Sequence, residues 1–423
     1  MSSSALDRSD AGVFGSRWAR APEHVRQLDP GAGLPQRFRA AGVVCGIKPS
    51  GNPDLGVLVC DAAQPTSAVR FTASGTAAAP VLLSRERCRL DCVRAVLANS
   101  GCANAATGAR GLDDAAKTQG ATAAALGIDP SQILLASTGA ISHYLPVDAV
   151  LRGILEASSR LACNGALDFQ RAIETTDRFR KQASLSVELP SGTVRLSAQC
   201  KGAGMISPLF ATMLCFVETD AALGAPTAEL LLDVCTRRSF ERACVDGQLS
   251  TNDTVALICS GSSGVAIEPE SEDELRFGEA LDALLRALAI MMVADGEGAQ
   301  RIARVVVHGG HEPSTEAVAR AIANSPLVKT ALNGGDPNWG RIAQAAGAAL
   351  PGTAPLALDI AIEGVQVCRA GAAVAHDEQA LAQAFAAPEV EFEVGLPGEG
   401  STSELYFSDL SHDYVRLNGE YTT

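Results

Sequence analysis

The hydrophobic pattern of this chain alternates between a period of two and a period near 3.6, which predicts interleaved strands and helices from about Phe38 onward. The ordered part is expected to open at Phe38–Lys48, turn at Pro49-Ser-Gly-Asn-Pro53 and enter a strand over Leu55–Cys60. A strand at Arg94–Leu97 leads through the small, polar loop 98–108 to a helix over about Asp113–Leu126. Ile133–Ser142 reads as an apolar strand running into Ser137-Thr138-Gly139, and Leu185–Leu189 with Thr193–Ala198 alternate in polarity around Pro190-Ser-Gly192, a hairpin pattern. After the apolar strand Met213–Val217, helices are predicted at about Thr227–Arg242, Glu272–Ala294 and Thr315–Asn324. The second opens on the capping-box pattern Ser271-x-x-Glu274 and carries Leu281, Leu284, Leu285 and Leu288 at helical spacing. Strands follow at Ile302–His308, Leu356–Ile362, Val390–Val394 and Ser403–Phe407. The class is α/β (α+β), with sheets and helices in layers.

Residues 1–37 mix Ser, Arg, Asp and Pro without hydrophobic periodicity and are expected to form a disordered extension. Asp7, Asp10 and Glu23 interrupt the basic character that a transit peptide needs. With 423 residues the chain has material for two or three domains. Aromatic residues are only 4%, so the core must pack through small side chains. The net charge of −14 argues against nucleic acid and anionic membrane surfaces as partners. No apolar run reaches the length of a membrane span. The 12 cysteines are scattered, without a Cys-x-x-Cys pair or a signal-peptide pattern ahead of them, and read as reduced, buried thiols of a cytoplasmic protein. His308-Gly-Gly-His311 reads as a strand-end turn, and neither a metal nor a bound cofactor is expected.

The chemistry concentrates around Lys201-Gly-Ala-Gly-Met-Ile-Ser-Pro-Leu-Phe-Ala-Thr212, a glycine-rich turn that enters the apolar strand. If the Ala211–Thr212 peptide bond breaks, Thr212 gains a free α-amine beside its own hydroxyl, a nucleophile and base in one residue. An α-amine pKa of ~8 leaves enough neutral amine to take the hydroxyl proton. The same residues also suit an ordinary buried strand. Thr138 and Gly139 sit at a strand end, where a hydroxyl and backbone N–H groups can converge on an oxyanion, although Ser-Thr-Gly is also a common turn. Lys201 could hold a carboxylate or be a solvated turn lysine. Asp295-Gly-Glu297-Gly serves as a helix stop on structural grounds alone.

These segments together resemble the ornithine acetyltransferase family, also known as glutamate N-acetyltransferase and active in arginine biosynthesis. The likeness runs from about Phe38 to Thr423 and includes Ser137-Thr138-Gly139 followed by Leu145-Pro146, and Ala172-Ile-Glu-Thr-Thr-Asp177. It also includes Asn324-Ser-Pro-Leu-Val-Lys-Thr-Ala331, Gly335-Asp-Pro-Asn-Trp-Gly-Arg-Ile342 and the end Tyr414–Thr423. The resemblance implies a self-cleaving layered sandwich, with residues 38–211 as an alpha chain and 212–423 as a beta chain whose first residue is the nucleophile. It assigns the oxyanion hole to Thr138 and Gly139. It assigns substrate contacts to Thr175 or Thr176, Lys201, Thr212, Glu297 (for the basic end of ornithine), Asn418 and Thr423. The implied reaction is a ping-pong acetyl transfer from N-acetylornithine to glutamate, releasing ornithine, with acetyl-CoA as a possible second donor. A heterotetramer of two alpha and two beta chains is the implied assembly. There are departures: Leu209-Phe210 replaces the usual Asn-Met, Arg178-Phe-Arg180 stands where Thr-x-Pro is usual, and Gln300-Arg301 where Thr-Lys is common. The rival readings are an amidase or aminopeptidase of the same self-cleaving fold and an uncleaved binding scaffold.

Overall fold

Two strands buried on both faces explain why the centre of the molecule is layered. Leu214–Thr219 and Thr254–Cys259 pair in parallel, and every residue of both is buried. Successive side chains on a strand point to opposite faces. Leu214, Phe216, Ala256 and Ile258 therefore enter one apolar cluster, while Cys215, Val217, Val255, Leu257 and Cys259 enter another. A run that is apolar on both sides must be covered on both sides. In the computed structural model, which describes residues 12–207 and 213–420, this is what the chain does.

These strands belong to a six-stranded sheet ordered Val25–Gln27, Lys181–Leu189, Gly192–Lys201, Leu214–Thr219, Thr254–Cys259 and Thr66–Phe71. One face packs on helices Ala225–Arg238 and Glu272–Ala294. The other meets a four-stranded sheet of Phe38–Val43, Leu55–Cys60, Ala95–Cys102 and Ile133–Ala140. The short helix Ala166–Ile173 contributes to that shared core, with Phe169 edge-on to Phe216 at a ring separation of 5.5 Å. Helices Ala79–Arg87, Gly108–Leu126 and Val147–Ser159 cover the outer face of the four-stranded sheet. The order is helices, sheet, sheet, helices. A second unit is built mainly from Ile302 onward, a seven-stranded sheet with the earlier Ala243–Cys244 at its edge, whose core is closed by helices Glu312–Asn324, Pro326–Gly334, Trp339–Ala349 and Glu378–Phe385.

The predicted long helix spans Glu272–Ala294, with the Ser271 hydroxyl accepting from the Glu274 amide as the capping pattern requires. The helix expected over Thr227–Arg242 instead spans Ala225–Arg238; Ser239 leaves helical geometry and a single tighter turn, Phe240–Arg242, follows. The expected disorder of the N-terminal extension fails over residues 12–37. Val25–Gln27 adds an edge strand to the six-stranded sheet, and Val13, Ala19, Val25 and Leu34 are buried. Arg17 pairs with Glu363 at 2.7 Å, and Trp18 Nε1 donates to Glu391 at 3.0 Å. The segment lacks periodicity because it crosses several surfaces rather than lying along one. His308 ends its strand as expected.

Glu218 is fully buried between the sheets, where its carboxylate accepts from the Ser197 hydroxyl at 2.6 Å. Burial pushes its pKa up to about 8, against the pull of the Ser197 and Gln199 hydrogen bonds. A raised carboxyl contributes stability that is full below its ordinary value of 4.5 and is lost as pH rises through about 8. Glu218→Gln keeps the shape without ionising, so the fall of the thermal midpoint from about pH 5 to about pH 9 should flatten relative to wild type. Parallel melting profiles of the two proteins would overturn this.

Candidate active site

Thr138 and Gly139 lie near the end of Ile133–Ala140, level with Ser100 and Gly101 of the parallel neighbour. The two strand ends approach too closely for a side chain. At Gly139, with φ +127°, an added Cβ would fall 2.4 Å from the Gly101 carbonyl carbon and 2.6 Å from the Cys102 nitrogen. Ser137 donates to Asn99 Oδ1 at 2.6 Å, and Asn99 Nδ2 donates to the Cys102 carbonyl at 2.9 Å, which clamps the pair.

Lys201 arrives from the facing sheet. It is the last residue of Gly192–Lys201 and only 2% exposed, so the solvated-turn reading does not hold. Its ammonium donates to Thr138 Oγ1 at 3.1 Å and Thr175 Oγ1 at 2.8 Å. A hydroxyl that accepts from an ammonium still has its own hydrogen to donate to a ligand. Burial lowers the pKa of Lys201 and the attraction of Asp177 opposes that shift. A carboxylate brought against this ammonium would restore it.

The next pair of contacts has the opposite charge. Thr176 donates to Glu297 Oε1 at 2.9 Å, and Asn418 Nδ2, from helix His412–Glu420, donates to Glu297 Oε2 at 2.9 Å. The Glu297 amide bonds the Ala203 carbonyl at 2.9 Å. Gly204 leaves the room: a Cβ there would meet the Glu297 carboxyl carbon at 2.7 Å. The two adjacent threonines, not separable from sequence, thus face different ends, Thr175 toward Lys201 and Thr176 toward Glu297. Thr138, Thr175, Thr176, Lys201, Glu297 and Asn418 come together, with Gly139 beside Thr138. Ala211, Thr212 and Thr423 lie outside the described residues.

Four supporting groups escaped the sequence reading. The Asp253 carboxylate accepts from the Met213 amide at 2.9 Å, one residue past Thr212. Burial raises the pKa of Asp253 well above the usual carboxylate range, despite the Met213 hydrogen bond. Its only sequence signal is an aspartate opening an apolar strand, which resembles any loop end. Asp177, Lys181 and Asp295 form a buried ion cluster behind the site, and here Asp177 closing the Thr-Thr-Asp string was the available clue. Among the described residues, no group of three His, Cys, Asp or Glu side chains is placed to hold a metal.

The site defines a layered α/β protein in which a buried lysine, convergent hydroxyls and a carboxylate suit the two charges of a small zwitterion. The ArgJ family model matches residues 39–423, and the chain belongs to the ArgJ family. It is 42% identical over 398 residues to the arginine biosynthesis bifunctional protein ArgJ of Rhodopirellula baltica, covering 92% of this chain and 96% of that protein. It is 41% identical over 399 residues to the protein of that name from Symbiobacterium thermophilum, covering 94% and 99%. Among solved structures, ornithine acetyltransferase from Mycobacterium tuberculosis, complexed with ornithine, is similar at 32% identity and a TM-score of 0.40, over 45% of this chain and 100% of that one.

Gly139→Ala should destabilise the strand end by about 2 kcal/mol or more, because the left-handed backbone and the Gly101 contact both oppose a Cβ. Thermal unfolding checks this; an unchanged midpoint would show that the strands have room to part.

Proposed function

We propose that this protein transfers the acetyl group of N-acetylornithine to glutamate, giving ornithine and N-acetylglutamate in arginine biosynthesis. Membership of the ArgJ family carries this reading. The charge layout supports it: Lys201 suits a carboxylate, while Glu297, reached by Thr176 and Asn418, suits an ammonium. The amidase and aminopeptidase alternative explains the strand-end hydroxyl but gives no reason for a family match over residues 39–423.

In the proposed cycle, hydrolysis of the Ala211–Thr212 bond frees the Thr212 amine and divides the chain into 38–211, with its N-terminal extension, and 212–423. The Thr212 hydroxyl attacks the acetyl carbonyl while its amine takes the proton. The Thr138 hydroxyl and Gly139 N–H stabilise the oxyanion; one such donor is worth about 3 kcal/mol. Collapse breaks the amide bond, the proton passes to the leaving nitrogen, and ornithine departs from an acetyl-threonine ester. The glutamate amine then attacks that ester and leaves acetylated, restoring the hydroxyl. Thr175, Lys201, Thr176, Glu297, Asn418 and Thr423 hold the amino acid. Acetyl-CoA is a second donor to the same threonine, a role that the relatives' designation as bifunctional supports. No tightly bound cofactor or metal takes part. The family resemblance carries an assembly of two alpha and two beta chains. A cytoplasmic location belongs to the same reading. Among the described residues no helix is long and apolar enough to cross a membrane.

Incubation of purified protein with N-acetylornithine and labelled glutamate should move the acetyl group without releasing acetate, and Thr212→Ala should abolish both transfer and chain cleavage. Acetate release in place of transfer would favour the hydrolase, and an active protein that remains a single full-length band would remove the cleavage step.

A further inference from the structure

Behind the clustered threonines, Lys181 is fully buried with its ammonium bound on three sides. It donates to Asp177 Oδ1 at 2.7 Å, to Asp295 Oδ2 at 2.5 Å and to the Phe179 carbonyl at 3.3 Å. Asp177 in turn accepts from the Thr175 amide and from the Gly202 amide, both at 2.9 Å. One carboxylate thus grips the residue after Lys201 and the threonine that Lys201 touches. Asp295 stands two residues before Glu297 and accepts from the Arg178 amide at 3.0 Å. The Arg178 guanidinium closes the loop from outside, donating to Asp295 Oδ1 at 3.2 Å, the Ala294 carbonyl at 2.9 Å and the Ala299 carbonyl at 3.2 Å. Its fork therefore spans the whole turn 294–299 that presents Glu297.

Three chain segments, 174–178, 201–203 and 294–299, are joined through one ammonium and one guanidinium. They carry the group suited to a substrate carboxylate and the group suited to a substrate ammonium. We propose that Lys181, Asp177, Asp295 and Arg178 are positioning residues that set the span between Lys201 and Glu297, and through it the length of diamino acid the pocket accepts. This rests on the reading above, in which those two residues hold opposite ends of the substrate. A methylene more or less in the substrate moves its terminal charge by about 1.3 Å, and a misplacement of about 1 Å can cost as much as ~100-fold in rate. A frame that holds both ends rigidly converts that mismatch into selectivity, whereas a loosened frame lets Glu297 follow the substrate.

The test compares kcat/KM for N-acetylornithine with that for its homologues one methylene shorter and one longer, glutamate being the acceptor throughout. Wild type, Arg178→Ala and Asp295→Asn are assayed side by side. Arg178 is 40% exposed, so its truncation leaves no buried void, and Asp295→Asn keeps the side chain's volume. Discrimination in favour of N-acetylornithine should fall about tenfold in both variants, chiefly through KM, while Thr212 chemistry on bound substrate is retained. Should Asp295→Asn fail to fold, Arg178→Ala still reads the ratio. An equal loss for all three donors, or an unchanged ratio, would overturn the inference and leave these residues as scaffold. A wild type that transfers nothing from N-acetylornithine would overturn the functional reading and this inference with it, whereas an active wild type with fully selective variants overturns the inference alone.

Discussion

An ammonium taken wholly out of water must have all its hydrogens engaged, and that requirement at Lys181 governs the ground around it. Desolvation of such a pair is costly, and breaking one by removing a partner typically costs about 3–5 kcal/mol. The two carboxylates respond differently. Burial raises both, but Asp177 faces Lys181 and Lys201 together and is held below the usual carboxylate range, while at Asp295 burial outweighs the pull of Lys181. Lys181 itself is raised, because the attraction of its two partners exceeds the effect of its burial. The ammonium ties both carboxylates, at 2.7 and 2.5 Å, and so holds their geometry.

That geometry matters because the clustered side chains come from both sheets and from the segments that follow helices. Thr138 and Gly139 belong to the four-stranded sheet, Lys201 to the six-stranded one, and Thr175 and Thr176 follow the short helix that shares their core. Glu297 comes from the turn after the longest helix, and Asn418 from the last. Hydrophobic contact alone would let such elements slide. Directional bonds from Lys201 and Glu297 to neighbouring hydroxyls, backed by buried charge, specify one arrangement.

Much of this was legible in the residues. Period-two runs located the central strands, and Ser271 with Glu274 located the start of the long helix, because these signals are local. Thr138, Lys201 and Glu297 were singled out through family-like strings, and the pairing of each threonine with a different charge was not, since only the folded chain brings position 176 to 297 and 175 to 201. Lys181 was invisible for a related reason: a lysine in a polar stretch reads as solvated, and its two partners are 4 and 114 residues away. The expectation of disorder failed over 12–37 because that segment is held by a three-residue edge strand and by scattered contacts to distant surfaces, which leave no period in its sequence.

Those distant contacts carry a further meaning for how the molecule is made. The Arg17 amide bonds Glu389, 372 positions later, and Trp18 lies 5.8 Å from the Tyr406 ring. On a ribosome that adds about 5–20 residues per second, the arm must wait tens of seconds before its dock emerges. Docking of this arm therefore waits on strands made hundreds of residues later, so an early stretch is among the later ones to settle.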